Sequence, residues 1–167
     1  MPRRCVFYSF HFIPDNWRAA TVRSIGSIEG NRPATDNEWQ TIEAGGDASI
    51  QRWIAAQMNG RSCTVVLVGA GTANRKWINY EIIKYWNDRM GVVGIHIYGL
   101  MNSKELGTKG ANPFDYIKHG ASGKQLSSIV KCYEPAGYSS KERYDWICKH
   151  LSNAVEEAIE IRAGMTG

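Results

Sequence analysis

A chain of 167 residues, 43% of them hydrophobic and 22% charged, suits one folded domain with a full core, spanning residues 1–167. No apolar run approaches the roughly 18 residues of a membrane-spanning helix, and Met1-Pro-Arg-Arg runs into a strand-like stretch, not a secretory leader; the expectation is a cytoplasmic protein that contacts no membrane. The net charge of +4 comes from scattered basic residues, which points away from nucleic acid and suits a small anionic ligand as well. Four cysteines at 5, 63, 132 and 148 form no C-x-x-C pair, so reduced thiols are expected, with neither a disulfide framework nor a metal site.

In chain order, Cys5-Val-Phe-Tyr-Ser-Phe10 reads as a first, central strand. Pro14-Asp-Asn-Trp17 then looks like a helix start capped by Asp15, with Trp17, Ala20, Thr21, Ser24 and Ile25 as a weak inward stripe. A second strand is expected near Ser24 to Glu29. Gly30 to Gly46 is polar and reads as a long loop, a kind of segment that often carries function. A helix capped by Asp47 follows, to about Asn59, burying Ile50, Trp53, Ile54 and Met58 and closed by Gly60.

Cys63 to Val68 is a continuous apolar, β-branched run, which fits a strand covered on both faces. After a tight turn, Trp77 to Arg89 reads as a helix with Ile78, Ile82, Tyr85, Trp86 and Arg89 inward and Gly91 as its stop. Val92 to Tyr98 is the next strand. Gly99 to Gly123 is a long Gly- and Lys-rich connection with Asn112-Pro-Phe in its middle, and Ser128 to Tyr133 is a last short strand. Ser139-Ser-Lys-Glu142 is a capping box for a C-terminal helix carrying Tyr144, Ile147, Leu151, Val155, Ala158 and Ile159 at helical spacing, with residues 163–167 frayed. Strands alternating with helices predict an α/β fold, a doubly wound, flavodoxin-like sheet of about five parallel strands.

Three places carry chemistry. Gly69-x-Gly71 after a strand suggests a dinucleotide fingerprint, but Asn74 stands where the third glycine belongs and no acidic residue follows at the required distance; a tight strand-to-helix turn is the plainer reading. Glu81 shares a helix face with Trp77, four residues earlier. It is either a solvated carboxylate pairing with Lys84 or Arg75, or a functional group in an aromatic cleft. Ser9, Phe10 and His11 end the first strand, where ligands collect in such sheets. Ser9 and His11 can donate to phosphate or ribose and Phe10 can stack on a base; ordinary turn chemistry with one core aromatic is the alternative. His96 and His150 read as structural, and no metal-protease or nucleophile-elbow motif occurs.

The ordered set Val6-Phe-Tyr-Ser-Phe-His11, Gly45-Gly-Asp-Ala-Ser-Ile-Gln-Arg-Trp53, Arg61-Ser-Cys-Thr-Val-Val-Leu-Val-Gly69, Arg75-Lys-Trp-Ile-Asn-Tyr-Glu81 and Val92-Val-Gly-Ile95, with Asn112-Pro-Phe, resembles a TIR domain. The branch is the TIR-like one of bacterial Thoeris anti-phage defence, and the resemblance covers roughly residues 5 to 135. It implies a five-stranded flavodoxin-like fold and cleavage of NAD⁺, as substrate rather than cofactor, at the nicotinamide–ribose bond. The W-x-x-x-E pattern of TIR enzymes falls on Trp77 and Glu81, which implies that Glu81 is catalytic. Ser9, Phe10, His11, Asp47, Trp77 and Tyr80 form the implied substrate-binding set.

The resemblance also makes Gly30–Gly46 the loop that governs self-association and access to the site. It implies a phage-derived trigger, and a separate effector switched on by a cyclic ADP-ribose-type product. The rival readings are a non-catalytic TIR-type interaction module, which needs no cavity between Phe10 and Glu81, and a nucleoside deoxyribosyltransferase-like enzyme, which forms a covalent intermediate on the glutamate. A receiver domain is a poor fit, because the first strand ends in Ser9, Phe10 and His11 instead of an acidic cluster.

Overall fold

A computed structural model describes residues 3–31, 34, 36–100, 107–120 and 122–165. Its centre is a five-stranded, wholly parallel sheet in the order β2-β1-β3-β4-β5, built from β1 (Cys5–Ser9), β2 (Glu29–Gly30), β3 (Cys63–Val68), β4 (Gly91–His96) and β5 (Cys132–Tyr133). This is the flavodoxin-like order expected from the alternation of strands and helices. All six residues of β3 and all six of β4 are buried, as a strand covered on both faces requires.

One face is covered by α1 (Phe12–Arg23) and α5 (Ser140–Ala163), through Ala19, Val22, Ile147, Leu151 and Val155. The other is covered by α3 (Gly46–Met58) and α4 (Lys76–Asn87), through Ile50, Ile54, Ile78, Ile82 and Tyr85. The chain leaves β1 towards β2 and returns to place β3 on the opposite side of β1. That reversal opens a crevice at the carboxyl ends of β1 and β3, the ligand position in sheets of this kind.

Several elements differ from the sequence reading, each for a local reason. Helix α1 begins at Phe12, two residues before Pro14, and carries no side-chain cap; proline is tolerated there because first-turn amides have no intrahelical acceptor. Asp15 is therefore not a cap but a buried side chain, and the inward stripe is Asp15, Ala19 and Val22, with Ala20 exposed. The second strand is only Glu29–Gly30. The supposed loop from Gly30 to Gly46 contains a helix, α2 (Asp36–Ala44), whose Trp39 and Ile42 pack at the edge of the core; its two widely set apolar residues gave too weak a stripe to read. Arg32, within that segment, lies outside the described residues. Helix α3 is preceded by Gly45 with no side-chain cap, so Asp47 sits in its first turn instead of capping it.

Helix α4 ends before Arg89, which adopts a left-handed φ of 64°. The Met90 amide donates to Tyr85 O at 3.0 Å and the Arg89 amide to Trp86 O at 3.1 Å, a Schellman closure with arginine where glycine is usual. Arg89 is therefore exposed, not inward, and Gly91 belongs to β4. Strand β4 stops at His96 rather than Tyr98. Only Cys132–Tyr133 of the expected final strand pairs, because Leu126–Ser128 coils into a 3-10 turn that buries Leu126. Ser139 caps α5, its Oγ accepting from the Glu142 amide at 3.1 Å, while the Glu142 carboxylate accepts from Tyr138 N instead of closing the box. Helix α5 continues through Ala163 and Met165 packs against the core; residues 166 and 167 of the expected frayed end lie outside the described residues. Cys5, Cys63, Cys132 and Cys148 are free thiols.

Helix α5 lies close against the sheet at Gly91: a methyl group there would stand 2.9 Å from Ile159 N and 3.1 Å from Ala158 C. Backbone atoms cannot yield as a side-chain tip can. Gly91→Ala should lower the melting temperature by roughly 5 °C, from an overpacking cost of about 1–3 kcal/mol, measured by thermal unfolding; an unchanged midpoint would mean that α5 is not seated this closely.

Candidate active site at the carboxyl ends of β1 and β3

Alternation along β1 sends Phe7 and Ser9 to the α3/α4 face and Val6 and Tyr8 to the α1/α5 face. Ser9, at the end of β1, is 1% exposed. Helix α4 leaves the turn after β3 and presents Glu81 one turn beyond Trp77. The two elements meet where the Ser9 hydroxyl donates to Glu81 Oε2. Glu81 is only 8% exposed, and burial raises its pKa to about 8, with the Ser9 hydrogen bond pulling the other way. The surface partners open to it on sequence grounds are engaged elsewhere: Lys84 pairs with Asp88 at 3.2 Å, and Arg75 Nε donates to Gly71 O at 2.6 Å.

Glu81 lines a cavity of about 830 Å³, within the usual range for a small-molecule site. Phe10 and His11 line it from the β1 end, and Trp77 from α4. Phe10 also packs against the core on the α1/α5 face, so it serves both readings. His11 has a buried Nδ1 with no hydrogen-bond partner. Its pKa is lowered, first by burial and then by Arg75, against an opposing pull from Asp15. Lys76 Nζ lies 4.9 Å from the Trp77 ring centroid.

Three residues of the expected substrate-binding set stand one step back from the cavity, Ser9 among them, which meets it only through Glu81. Tyr80 meets Trp77 edge to face at 5.4 Å and buttresses it. Asp47 is exposed and accepts from Lys76 Nζ at 2.5 Å, reaching the cavity only through that lysine. Sequence reasoning assigned no site role to Asn31, Gln40 or Lys76, all of which line the cavity, nor to Trp53, which it placed in the α3 stripe. Asn31 is 5% exposed, and its Oδ1 accepts from Tyr8 N at 2.9 Å, tying the end of β2 to β1. Trp39 and Trp53 meet edge to face at 5.8 Å across α2 and α3. Recognising α2 as a helix was the missing signal, since Trp39, Gln40 and Glu43 share one of its faces.

Gly69-x-Gly71 proves to be a turn. The Gly69 amide donates to Thr72 Oγ1 at 2.8 Å, so it is not offered to a phosphate. A methyl group on Gly69 would fall 2.0 Å from Asp15 Oδ2. Asp15, paired with Arg18 at 3.3 Å, thus fills the space beside Gly69. Among the described residues, no group of three or more His, Cys, Asp or Glu side chains could hold a metal ion, and no helix is long and apolar enough to cross a membrane. His96 is buried at the end of β4, and His150 stacks on Trp146 at 4.2 Å; neither lines the cavity.

The family model described as "Thoeris protein ThsB, TIR-like domain" matches residues 7–102, a span that holds Ser9, Trp77 and Glu81. A protein of Bacillus cereus (strain MSX-D12), named "Putative cyclic ADP-D-ribose synthase ThsB1", is 33% identical over 129 residues, covering 72% of this chain and 67% of that relative.

A buried carboxyl with a raised pKa has a signature in stability. The unfolded chain titrates Glu81 in the ordinary carboxylate range and the folded protein near pH 8. Between those values the folded state holds the extra proton, so stability falls as pH rises across the interval and the penalty is complete above it. Glu81→Gln keeps an acceptor for Ser9 without the charge. It should melt several degrees above the wild type at pH 8.5, with the gap closing towards pH 5 in parallel thermal scans; a gap independent of pH would contradict this placement of Glu81.

Proposed function

The chain belongs to the Thoeris ThsB family of TIR-like domains, and from that premise we propose that it cleaves NAD⁺ at the nicotinamide–ribose bond and makes a cyclic ADP-ribose-type signal in anti-phage defence. One observation carries the reading: a buried glutamate, held by a serine, lines a sizeable aromatic cavity at the sheet's switch point. An interaction module would need no such cavity between Phe10 and Glu81. The "cyclic ADP-D-ribose synthase" in the relative's name supports the same choice of substrate.

One carboxylate suffices for this reaction. When the C1′–N bond breaks, its electron pair passes to the pyridinium nitrogen and nicotinamide leaves as a neutral molecule, so no acid need protonate it. Positive charge moves onto the ribose as an oxocarbenium-like centre, as in glycoside cleavage. The ionised Glu81, fixed by Ser9 in a site of low dielectric, stabilises that charge as it develops. A hydroxyl then attacks C1′ and gives up its proton. With a pKa near 8 in the free protein, Glu81 is basic enough to accept it. Water as nucleophile gives ADP-ribose, and a hydroxyl of the same nucleotide gives a cyclic isomer. Self-association, a phage-derived trigger and an effector that reads the nucleotide complete the proposed role.

Purified protein at high concentration, incubated with NAD⁺, should release nicotinamide. Glu81→Gln should lower the rate by at least about 10²-fold. Mass spectrometry separates the products, since hydrolysis adds the mass of water to the ADP-ribosyl group and cyclisation does not. A covalent adduct on Glu81 would favour the deoxyribosyltransferase-like chemistry instead, and full activity in the variant would sink the assignment.

The free protein must ionise Glu81 before it binds a cationic substrate. The kcat/KM for NAD⁺ should therefore rise with pH through about 8. The kcat transition should lie lower, because the bound pyridinium favours the carboxylate. Ser9→Ala removes the hydrogen bond that depresses this pKa, so its kcat/KM transition should move to higher pH while activity falls about 10-fold. An unmoved transition would mean that Ser9 does not position Glu81.

A further inference from the structure

The cavity has two separate aromatic groups on different elements. Trp77, backed edge-on by Tyr80, stands on α4 one turn from Glu81. Trp39 and Trp53 meet across α2 and α3, with no part in carrying Glu81. Both groups belong to the same lining, which also includes the cationic side chains Arg75 and Lys76. Aromatic, cationic and aromatic surfaces in one cavity match a ligand with two bases joined through a pyrophosphate. Only one base, the pyridinium, is needed at Glu81.

We propose that Trp39, backed by Trp53, is the stacking wall for the second base of the dinucleotide, the adenine, and so sets the size of nucleotide that the site prefers. The proposal rests on the reading of this cavity as an NAD⁺ site. Trp39 is half-buried, as a ring must be if one side packs on protein and the other meets a ligand. Its T-shaped contact with Trp53, the rings at 74°, fixes the indole plane before a base arrives. Stacking on a preset indole costs little ordering entropy and tolerates any base with a π-face. Discrimination is then between nucleotides that have the second base and those that lack it. Trp39 is a binding residue in this account and leaves the bond-breaking step to Glu81.

Calorimetric titration of AMP and of ribose 5-phosphate into the wild type, Trp39→Ala and Trp39→Phe tests this without requiring turnover. The wild type should bind AMP at least about 10-fold more tightly than ribose 5-phosphate. Trp39→Ala should lose about that factor for AMP and none for ribose 5-phosphate, and Trp39→Phe should stay near the wild type. With NAD⁺ as substrate, Trp39→Ala should raise KM by a similar factor and leave kcat within about 2-fold, while cleavage of nicotinamide mononucleotide, which has no adenine, should be unchanged. AMP binding no tighter than ribose 5-phosphate in the wild type overturns the proposal whether or not the alanine variant folds. So does an equal loss for both ligands in Trp39→Ala, the mark of a tryptophan that only holds α2 on α3. Absence of NAD⁺ cleavage by the wild type, with the AMP pattern intact, would overturn the proposed reaction and leave the adenine wall standing.

Discussion

Burying one carboxylate against one hydroxyl is the constraint on which the rest of this site depends. Glu81 cannot be taken out of water on the inner face of α4 without a partner, and Ser9 supplies the hydrogen bond from the neighbouring strand. The contact requires β1 and β3 to be adjacent and parallel, with α4 descending on the face to which Ser9 points. The flavodoxin-like strand order meets each requirement. Burial raises the pKa of Glu81, and the Ser9 hydrogen bond opposes that shift.

Around this pair, the sheet's two faces divide their tasks. The α1/α5 face is a packing face, drawn tight enough that Gly91 has no room for a side chain. The α3/α4 face packs along the body of β3 and opens only towards the strands' carboxyl ends, where α2 and the start of α4 complete the walls. Asp15 helps to shape that end. Its carboxylate is buried over Gly69 and paired with Arg18. Arg75 and Lys76 stand exposed in the cavity lining, Lys76 paired with Asp47.

The aromatic residues give the cavity its character. Trp77 and Tyr80 on α4, and Trp39 and Trp53 across α2 and α3, are edge-to-face pairs. Such pairs present one flat ring while anchoring it by another.

The sequence by itself determined the regular part of the protein. The continuous apolar, β-branched run of β3 fitted a strand covered on both sides, the run after it read as the next strand, and the 3.6-residue stripes of α3, α4 and α5 set most of their inward faces, because burial of apolar surface follows periodicity that can be counted. The W-x-x-x-E spacing also placed Trp77 and Glu81 on one helix face. What only the tertiary structure decided depends on contacts between distant parts of the chain. Whether Glu81 is buried or solvated turns on Ser9, 72 residues earlier. The helix at Asp36–Ala44 is held by packing on α3 rather than by its own sparse stripe. Asp15 and Asp47 both looked like helix caps, and a neighbouring arginine and lysine took them up instead. Helix ends are local choices of small free energy, so packing readily overrides them. A carboxylate's pKa is set by its surroundings, which no local pattern records.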